Sequence, residues 1–411
     1  MSSHAPKVFG EFRVEDWYTS CSDLTFPTDF LPLTIGKANA IIHLYELFHK
    51  YPRQLLPVEE QAGATDEKLV ARKIQMIQLL ELCNADKLEE EFYNSQLEHQ
   101  TIFKRQDVKL LQELLSDLKQ TMLKISSKEL SYNDGFFVRL STRSPKDGAL
   151  KKRAQFMSTL KEELQNCSNN ESLAVVRSFN TKLCVGNARR AIELLVHSER
   201  VYTDLFRSML FLDEKLKKND TNELHGQGLV VRMFKKMKEP EYEFRVFVKY
   251  DGKKHNITAI SQYFKSCYLE KLDFQPNLKQ SIQQEIERLK NCVTDRLKTT
   301  ESFVMDVSVE FTQAAVECVQ YEIAKVWMIE LNPFSKQTSA CMFNWHEKKS
   351  ENILEGKSQM QFLTLEHRLA KQKCRQELSE DVRSMLEEIN GPIEPVEDQE
   401  NEKDEKKCFI Q

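Results

Sequence analysis

The sequence predicts an α+β fold with sheet and helices largely segregated, and three observations carry that prediction. Apolar residues recur at helical spacing between Gly36 and Lys128, a block from Phe136 to Asn332 holds short apolar runs of strand character, and further helical segments surround that block. Hydrophobic residues make up 40% and charged residues 30% of the 411, enough apolar matter to bury a core beneath a solvated surface. At about 100–200 residues per domain, this length allows two or three domains, or one domain with a large insertion. No internal repeat is visible.

The first 36 residues read as an irregular arm or edge strand, because Phe12 to Tyr18 and Phe26-Pro-Thr-Asp-Phe-Leu-Pro-Leu33 mix aromatic residues with proline. A helix follows Gly36, with Ala38, Ile41, Ile42, Tyr45 and Phe48 on one face and Pro52 and Pro57 as its stop. A second opens at Thr65 or Asp66 and runs to Asn84. From Asp86 to Lys128 the chain lacks Gly and Pro and spaces Leu110, Leu111, Leu114, Leu118 and Met122 as one long amphipathic helix or a hairpin of two. Residues 37–130 therefore form a helical insertion.

A strand at Phe136–Leu140 leads into the polar loop Ser141 to Gly148, and helices are expected at 149–165, 186–197 and 199–213. Strands follow at Gly228–Phe234, Tyr242–Lys249 and Ile257–Tyr263, the last two joined by the turn Asp251-Gly252. A helix at 277–299 precedes strands Phe303–Val307 and Val326–Asn332, and residues 358–389 read as helical. The expected division is an arm (1–36), the helical insertion (37–130), a first lobe (131–227), a second lobe (228–357), a C-terminal helix (358–390) and an acidic tail (391–411) too polar to fold alone.

A net charge of -4, from 59 basic against 63 acidic residues, excludes a broadly basic nucleic-acid coat. No run of about 20 apolar residues and no apolar stretch behind Met1 is present, so a cytoplasmic protein is expected. Ten cysteines occur without a Cys-x-x-Cys pair, against a disulfide framework or a zinc ribbon. Cys408-Phe-Ile-Gln411 ends the sequence as a farnesylation signal. One lipid chain gives only marginal membrane binding, and seven acidic residues between Glu394 and Glu405 oppose a second, electrostatic anchor, so weak membrane association is expected.

Chemistry concentrates in Trp327-Met-Ile-Glu-Leu-Asn-Pro333. Strand alternation projects Glu330 and Asn332 from one face and sends Ile329 and Leu331 to the core, and Pro333 ends the strand. Two hard oxygen ligands on one face suit Mg²⁺, and Asp306, interrupting an apolar strand, is a third donor. Arg139, Arg232 and Arg245 are each a lone arginine among apolar residues, suited to phosphate oxygens or to a salt bridge with an acid such as Glu243. Neither Gly-x-x-x-x-Gly-Lys nor Gly-x-Gly-x-x-Gly occurs, which disfavours a P-loop or dinucleotide site.

Read in order, seven blocks resemble the cell division cycle protein 123 family, an ATP-grasp-like group. They are Trp17-Tyr18 through Leu33, Phe137 to Asp147, Ala191 to Glu199, Leu229 to Arg232, Glu243 to Val248 with Ala259 to Gln262, Phe303 to Val307, and Val326 to Phe334 with Phe343-Asn-Trp345. The resemblance implies an ATP-grasp-like two-lobed fold with mixed or antiparallel sheets that holds Mg-ATP. Asp306, Glu330 and Asn332 would hold the metal. Arg139, Ser144, Lys146, Asp147, Arg232, Arg245 and Asp306 would lie near the nucleotide. It also implies an assembly chaperone for translation initiation factor 2 that binds the γ subunit, with Trp17, Tyr18 and Phe30 as candidate partner contacts and no direct nucleic acid. The alternative is an ATP-grasp ligase that activates a carboxylate as an acyl phosphate. The sequence departs from the family pattern with Arg139 where lysine is usual, Glu330 where aspartate is usual, Tyr263 where arginine follows Ser-Gln, and with the 37–130 helices and the Cys408 ending.

Overall fold

Two sheets organise the chain, and each strand run expected from the sequence enters one of them. The computed structural model describes residues 13–56, 61–82, 104–127, 134–168, 170–212, 222–312, 321–365 and 377–390. In the first sheet β1 (Thr28–Thr34) and β2 (Phe136–Leu140) flank β3 (Glu223–Met233), both antiparallel to it. The second sheet contains β4 (Glu243–Tyr250), β5 (His255–Gln262), β6 (Phe303–Phe311), β7 (Ile323–Pro333) and β8 (Gln361–Leu363) in the order β7-β6-β4-β5-β8. All its pairs are antiparallel except β5 with β8. The β4–β5 turn falls at Asp251-Gly252 as expected. Gly252 takes φ +93, and Asp251 Oδ1 accepts from the backbone N–H of Lys253 at 2.8 Å and Lys254 at 2.9 Å.

Helices close each sheet. α1 (Val14–Cys21) precedes β1, α2 (Ile35–His49) starts at the N-cap Thr34, and α3 (Asp66–Leu82) and α4 (Arg105–Ser126) complete the N-terminal set. α2, α4 and the later α8 (Ala188–Val196) bury their apolar faces with the first sheet in one core, which includes Ile41, Leu44, Phe48, Leu111, Leu114, Leu118, Val138 and Val231. The second sheet packs Phe244, Val246, Phe303, Met305 and Val307 against α11 (Leu278–Leu297), whose Leu278, Ile282, Ile286, Leu289 and Val293 recur along a single stripe. A third core joins α6 (Arg153–Asn166), α7 (Glu171–Leu183) and α13 (Glu380–Asn390) through Phe156, Leu160, Val175, Val382 and Leu386. The remaining helices are α5 (Lys146–Leu150), α9 (Glu199–Leu210), α10 (Glu270–Phe274) and α12 (Lys348–Leu354). α5 lies so close to α8 that a Cβ on Gly148 would stand 2.5 Å from the Leu194 carbonyl oxygen.

The α+β expectation is borne out, and several boundaries are corrected. The edge-strand reading of the arm holds in β1, an edge strand of the first sheet, while the stretch read as irregular before it forms α1, which packs on α11. The 37–130 helices share the core of the first sheet and are not a separate unit, and a lobe boundary at 227/228 would cut β3. In 358–390 the described residues form β8 and then the helix 380–390, since β8 finds a partner in β5. Cys408 and the acidic tail lie outside the described residues. Among the described residues no helix is long and apolar enough to cross a membrane.

The first core also encloses two histidines, His49 at the end of α2 and His197 just after α8, with His49 Nε2 and His197 Nδ1 3.1 Å apart. Burial, with Lys73 nearby, pushes His49 down to about 4; burial, then the His49 ring, pushes His197 down to about 3. Folded-state values below the ordinary 6.5 mean that the unfolded chain takes up these protons first. The stability is therefore full above that value and is lost as pH falls towards the folded values. Denaturant titrations should show about 1–2 kcal/mol less stability at pH 5.5 than at pH 7, at about 1.4 kcal/mol per pH unit per fully titrating ring. A His197→Gln variant should show a shallower decline, and an unchanged one would mean that other groups set acid stability.

Candidate functional site

The site arises where alternation along the second sheet turns polar on the face opposite α11. Phe244, Val246 and Val248 of β4 enter the core, which leaves Glu243 and Arg245 on the other side with Phe247. On β6 the same logic places Asp306, between Met305 and Val307, on the face opposite the α11 core, where it is buried. Arg245 is register-paired with Asp306, and Asp306 in turn with Glu330 of β7. The register then shifts so that Val307 pairs with Met328, which leaves Ile329 as the extra residue of a bulge. Ile329 was expected in the core. The bulge instead turns its side chain to the cavity described below and presents its carbonyl to Arg232, and Met328 and Leu331 take the core positions.

Arg245 grips Asp306 with both arms of the fork, Nε to Oδ1 and Nη2 to Oδ2 each at 2.7 Å, and its Nη1 donates to the Ser339 carbonyl at 2.8 Å. Arg139 pairs through Nη1 with Glu330 Oε2. Asn332 Nδ2 lies between the carboxylates, 3.2 Å from Asp306 Oδ2 and 3.4 Å from Glu330 Oε1. Lys146, at the start of α5, donates to the Tyr263 hydroxyl at 2.8 Å, and the Tyr263 ring lies 5.1 Å from the Arg245 guanidinium. Arg232 reaches from the first sheet to the second, Nε to Thr28 Oγ1 at 3.1 Å and Nη1 to the Ile329 carbonyl at 2.6 Å. Its Nη2 is buried without an acceptor.

These groups share a cavity of about 1080 Å³ between the two sheets and the α6–α7–α13 helices. Arg139, Ser144, Lys146, Arg232 and Glu330 line it together with Glu243 and Tyr263, whereas Arg245, Asp306 and Asn332 sit behind that lining. Apolar side chains of α7, Val175, Val176 and Phe179, supply the opposite wall. Burial pushes Glu330 up, but Arg139, Lys146 and Arg245 together hold it well below the usual carboxylate range. Burial, with Asp306 and Glu330 adjoining, carries Glu243 up to about 8 despite Lys146. Burial likewise raises Asp306 against the pull of Arg245. Burial, then Arg139, brings Arg232 down to about 10. The site is thus a buried, mutually compensating charge cluster with one guanidinium arm left over.

Of the residues singled out for metal and nucleotide, all but Asp147 converge here, and the three proposed partner contacts, Trp17, Tyr18 and Phe30, lie elsewhere. Asp147 points away: its Oδ1 accepts from Ser198 Oγ at 2.5 Å and its Oδ2 from the Arg200 N–H at 3.1 Å, fastening the start of α9. Trp17 is 1% exposed and packs beside α11, with Arg232 5.8 Å from its ring, so it walls the core and offers no surface to a partner. Tyr18 and Phe30 are half-buried, in edge-to-face contact 5.5 Å apart, and the Tyr18 hydroxyl accepts from the Thr28 N–H at 2.8 Å. Arg245 finds Asp306, not the adjacent Glu243. Glu243 and the α7 wall are additions. The signal for Glu243 was its two-residue spacing from Arg245 on a strand; for α7 it was the cap Asn170, whose side chain accepts from the Leu173 N–H.

The donor set tests whether Mg²⁺ and a nucleotide suit the site. Among the described residues no three or more His, Cys, Asp or Glu side chains are grouped to hold a metal, so an all-protein cage is absent there. Asp306, Glu330 and Asn332 carry the oxygens that Mg²⁺ takes beside phosphate and water, but Asn332 here turns its Nδ2 to the two carboxylates, so its amide would have to rotate to present Oδ1. The unsatisfied Arg232 Nη2 beside Arg139 and Lys146 fits an anion such as phosphate. The residues fit Mg²⁺ with a polyphosphate.

The D123 family model matches residues 174–388, more than half of the chain, and the chain belongs to that family, the cell division cycle protein 123 family. Among curated proteins, the translation initiation factor eIF2 assembly protein of Lodderomyces elongisporus is 29% identical over 162 residues, 38% of this chain and 38% of that protein. That of Candida albicans is 28% identical over 185 residues, covering 44% and 47%. That of Dictyostelium discoideum is 27% identical over 188 residues, covering 46% and 42%. The chain spans less than half the length of the curated relatives it matches. Cdc123 from Schizosaccharomyces pombe aligns structurally over 86% of this chain and 96% of its own, at 15% identity and a TM-score of 0.45.

Proposed function

We propose that this chain is a Mg-ATP-binding assembly factor that promotes joining of the subunits of translation initiation factor 2 by binding its γ subunit. The observation that supports the nucleotide half is Arg232, which lines the cavity with Arg139 and Lys146 and whose buried Nη2 has no acceptor. The names of the curated relatives, each an eIF2 assembly protein, support the client half. Asp306, Glu330 and Asn332 would hold Mg²⁺, which when bound neutralises phosphate charge. The protein's own part is placement. Arg232 and Arg139 orient an anion, Lys146 screens it, and the apolar α7 wall excludes water from one side. Burial pushes Glu243 towards its neutral form, which limits the negative charge in the cavity. A nucleotide held between the two sheets bridges them, so its binding energy can select one arrangement of the surface offered to the client.

Calorimetric titration of Mg-ATP into the purified protein should give metal-dependent binding, weakened at least about tenfold when Glu330→Ala and Asn332→Ala are combined. Released ADP or AMP is assayed in the same samples, and the γ subunit is then offered in a pull-down with and without Mg-ATP. Retention strengthened by nucleotide, without turnover, is the expected result. No binding of Mg-ATP by the unmutated protein would remove the nucleotide half, and turnover would move the reading to a ligase.

A further inference from the structure

Tyr263 lines the cavity, and Lys146 donates to its hydroxyl oxygen at 2.8 Å. Burial works against the Lys146 charge, but Tyr263, Glu243 and Glu330 together hold it above the ordinary lysine range, so the nitrogen is an ammonium that can only donate. The phenol oxygen is therefore the acceptor, and its one O–H points away from Lys146. Among the described residues no acceptor takes that proton.

Both partners are held from behind. Tyr263 follows β5 and its N–H donates to the Glu243 carbonyl at 2.9 Å. Its ring rests 4.7 Å from the Lys146 ammonium, 5.1 Å from the Arg245 guanidinium and edge-on to Phe264 at 5.2 Å. The fully buried Gln262 fixes the turn beyond, with Nε2 donating to the Phe264 carbonyl at 2.6 Å and Oε1 accepting from the Leu365 N–H at 3.0 Å. Lys146 stands on α5, which Asp147 ties to the head of α9 and Ala149 joins to the first core. The Lys146–Tyr263 bond thus runs from an element of the first core to the end of a strand in the second sheet.

An oriented O–H beside an ammonium selects its ligand by charge and by hydrogen-bonding sense. It needs an acceptor oxygen, and Lys146, Arg139 and Arg232 in the same cavity favour a negative one. We propose that Tyr263 is an anion-binding residue whose hydroxyl, oriented by Lys146, donates to a phosphoryl oxygen of the ligand. The donor pair stands on this geometry, and the phosphoryl identity of its ligand rests on the nucleotide reading of the cavity. Because the hydroxyl is already oriented, little freedom is lost when the ligand takes its proton.

Calorimetry with Mg-ATP on the full chain tests the pair in Tyr263→Phe, Lys146→Met and the combined variant, with urea denaturation of the same preparations. Tyr263→Phe keeps the ring and should bind about tenfold more weakly, the loss for one hydrogen bond to a charged acceptor. In the Lys146→Met background the same change should cost less than about threefold, because the hydroxyl is no longer oriented. Replacing Tyr263 by a ring-fluorinated tyrosine, a stronger donor and a weaker acceptor, should tighten binding. Affinity unchanged in Tyr263→Phe, with or without a loss of stability, would overturn the proposal, as would weaker binding by the fluorinated protein or losses that add in full. No binding of Mg-ATP by the unmutated chain would remove the nucleotide reading, and inorganic tripolyphosphate then becomes the probe. Tripolyphosphate binding weakened about tenfold by Tyr263→Phe would keep the donor pair, and no such binding would overturn it.

Discussion

Replacing Asp306 by alanine is expected to lower the unfolding free energy by about 3–5 kcal/mol, the range for breaking a buried ion pair from one side. The pair is deep: the Arg245 side chain is 6% exposed and that of Asp306 1%. In Asp306→Ala the Arg245 guanidinium keeps the Ser339 carbonyl, and the two donors that Asp306 accepted from are left buried without that partner. Some relief comes from the other carboxyls, because Asp306 works against the ionisation of Glu243 and Glu330 against that of Asp306. That relief is smaller than the loss, since both hydrogen bonds to Asp306 are charge-assisted and well formed. Urea denaturation of three proteins separates the contributions. Asp306→Ala falls furthest, Asp306→Asn loses less because one acceptor survives, and Arg245→Met with Asp306→Leu recovers to within about 1–2 kcal/mol of the parent. A loss below about 1 kcal/mol in Asp306→Ala would mean that the β4–β6 register does not depend on this pair.

The charged members of this cluster were legible because an ion inside an apolar strand demands a partner, and the demand is visible without knowing the partner. Arg139, Arg232, Arg245, Asp306 and Glu330 all stood out in that way, and the structure brings them to one place. What stayed hidden depends on contacts between distant segments. The bulge at Ile329 breaks a period-two reading because only the pairing with β6 shows where the extra residue falls. Trp17 resembled a surface aromatic on a proline-bearing arm, yet the pairing of Thr28 with Arg232 draws that arm into the fold and buries the indole. α7 carries Ser172, Ser178, Asn180 and Thr181, weak helix formers, and earns its place by packing on α6 and α13, which no local pattern reports. Asp147 was expected in a loop beside the nucleotide; it lies instead in the first turn of α5 with its partners at the head of α9, so Lys146 alone of the two enters the cavity.

Arg232→Met should separate binding from folding, which the Asp306 variants cannot do. In the unliganded protein Arg232 is a stability liability: burial and Arg139 both disfavour its charge, and Nη2 has no acceptor. Methionine fills much of the same volume without a charge. The variant forfeits the bonds to Thr28 Oγ1 and the Ile329 carbonyl. Each is worth about 1 kcal/mol and is offset by relief of the desolvated charge, so the net change in stability should stay within about 1–2 kcal/mol. Affinity for Mg-ATP should nevertheless fall about 10–100-fold, since a charge-assisted hydrogen bond to phosphate contributes about 1.5–3 kcal/mol. Arg232→Lys should restore only part of it, because an ammonium cannot hold the Ile329 carbonyl and an anion with the same planar fork. Calorimetry and urea denaturation on the same preparations read both quantities. A large stability loss with affinity intact would make Arg232 a strut between the sheets and move the anion to Arg139 and Lys146. The expected split, weak binding in a stable protein, requires that the free arm faces a ligand, because a guanidinium kept only to join Thr28 to Ile329 has no use for a buried third nitrogen without a partner.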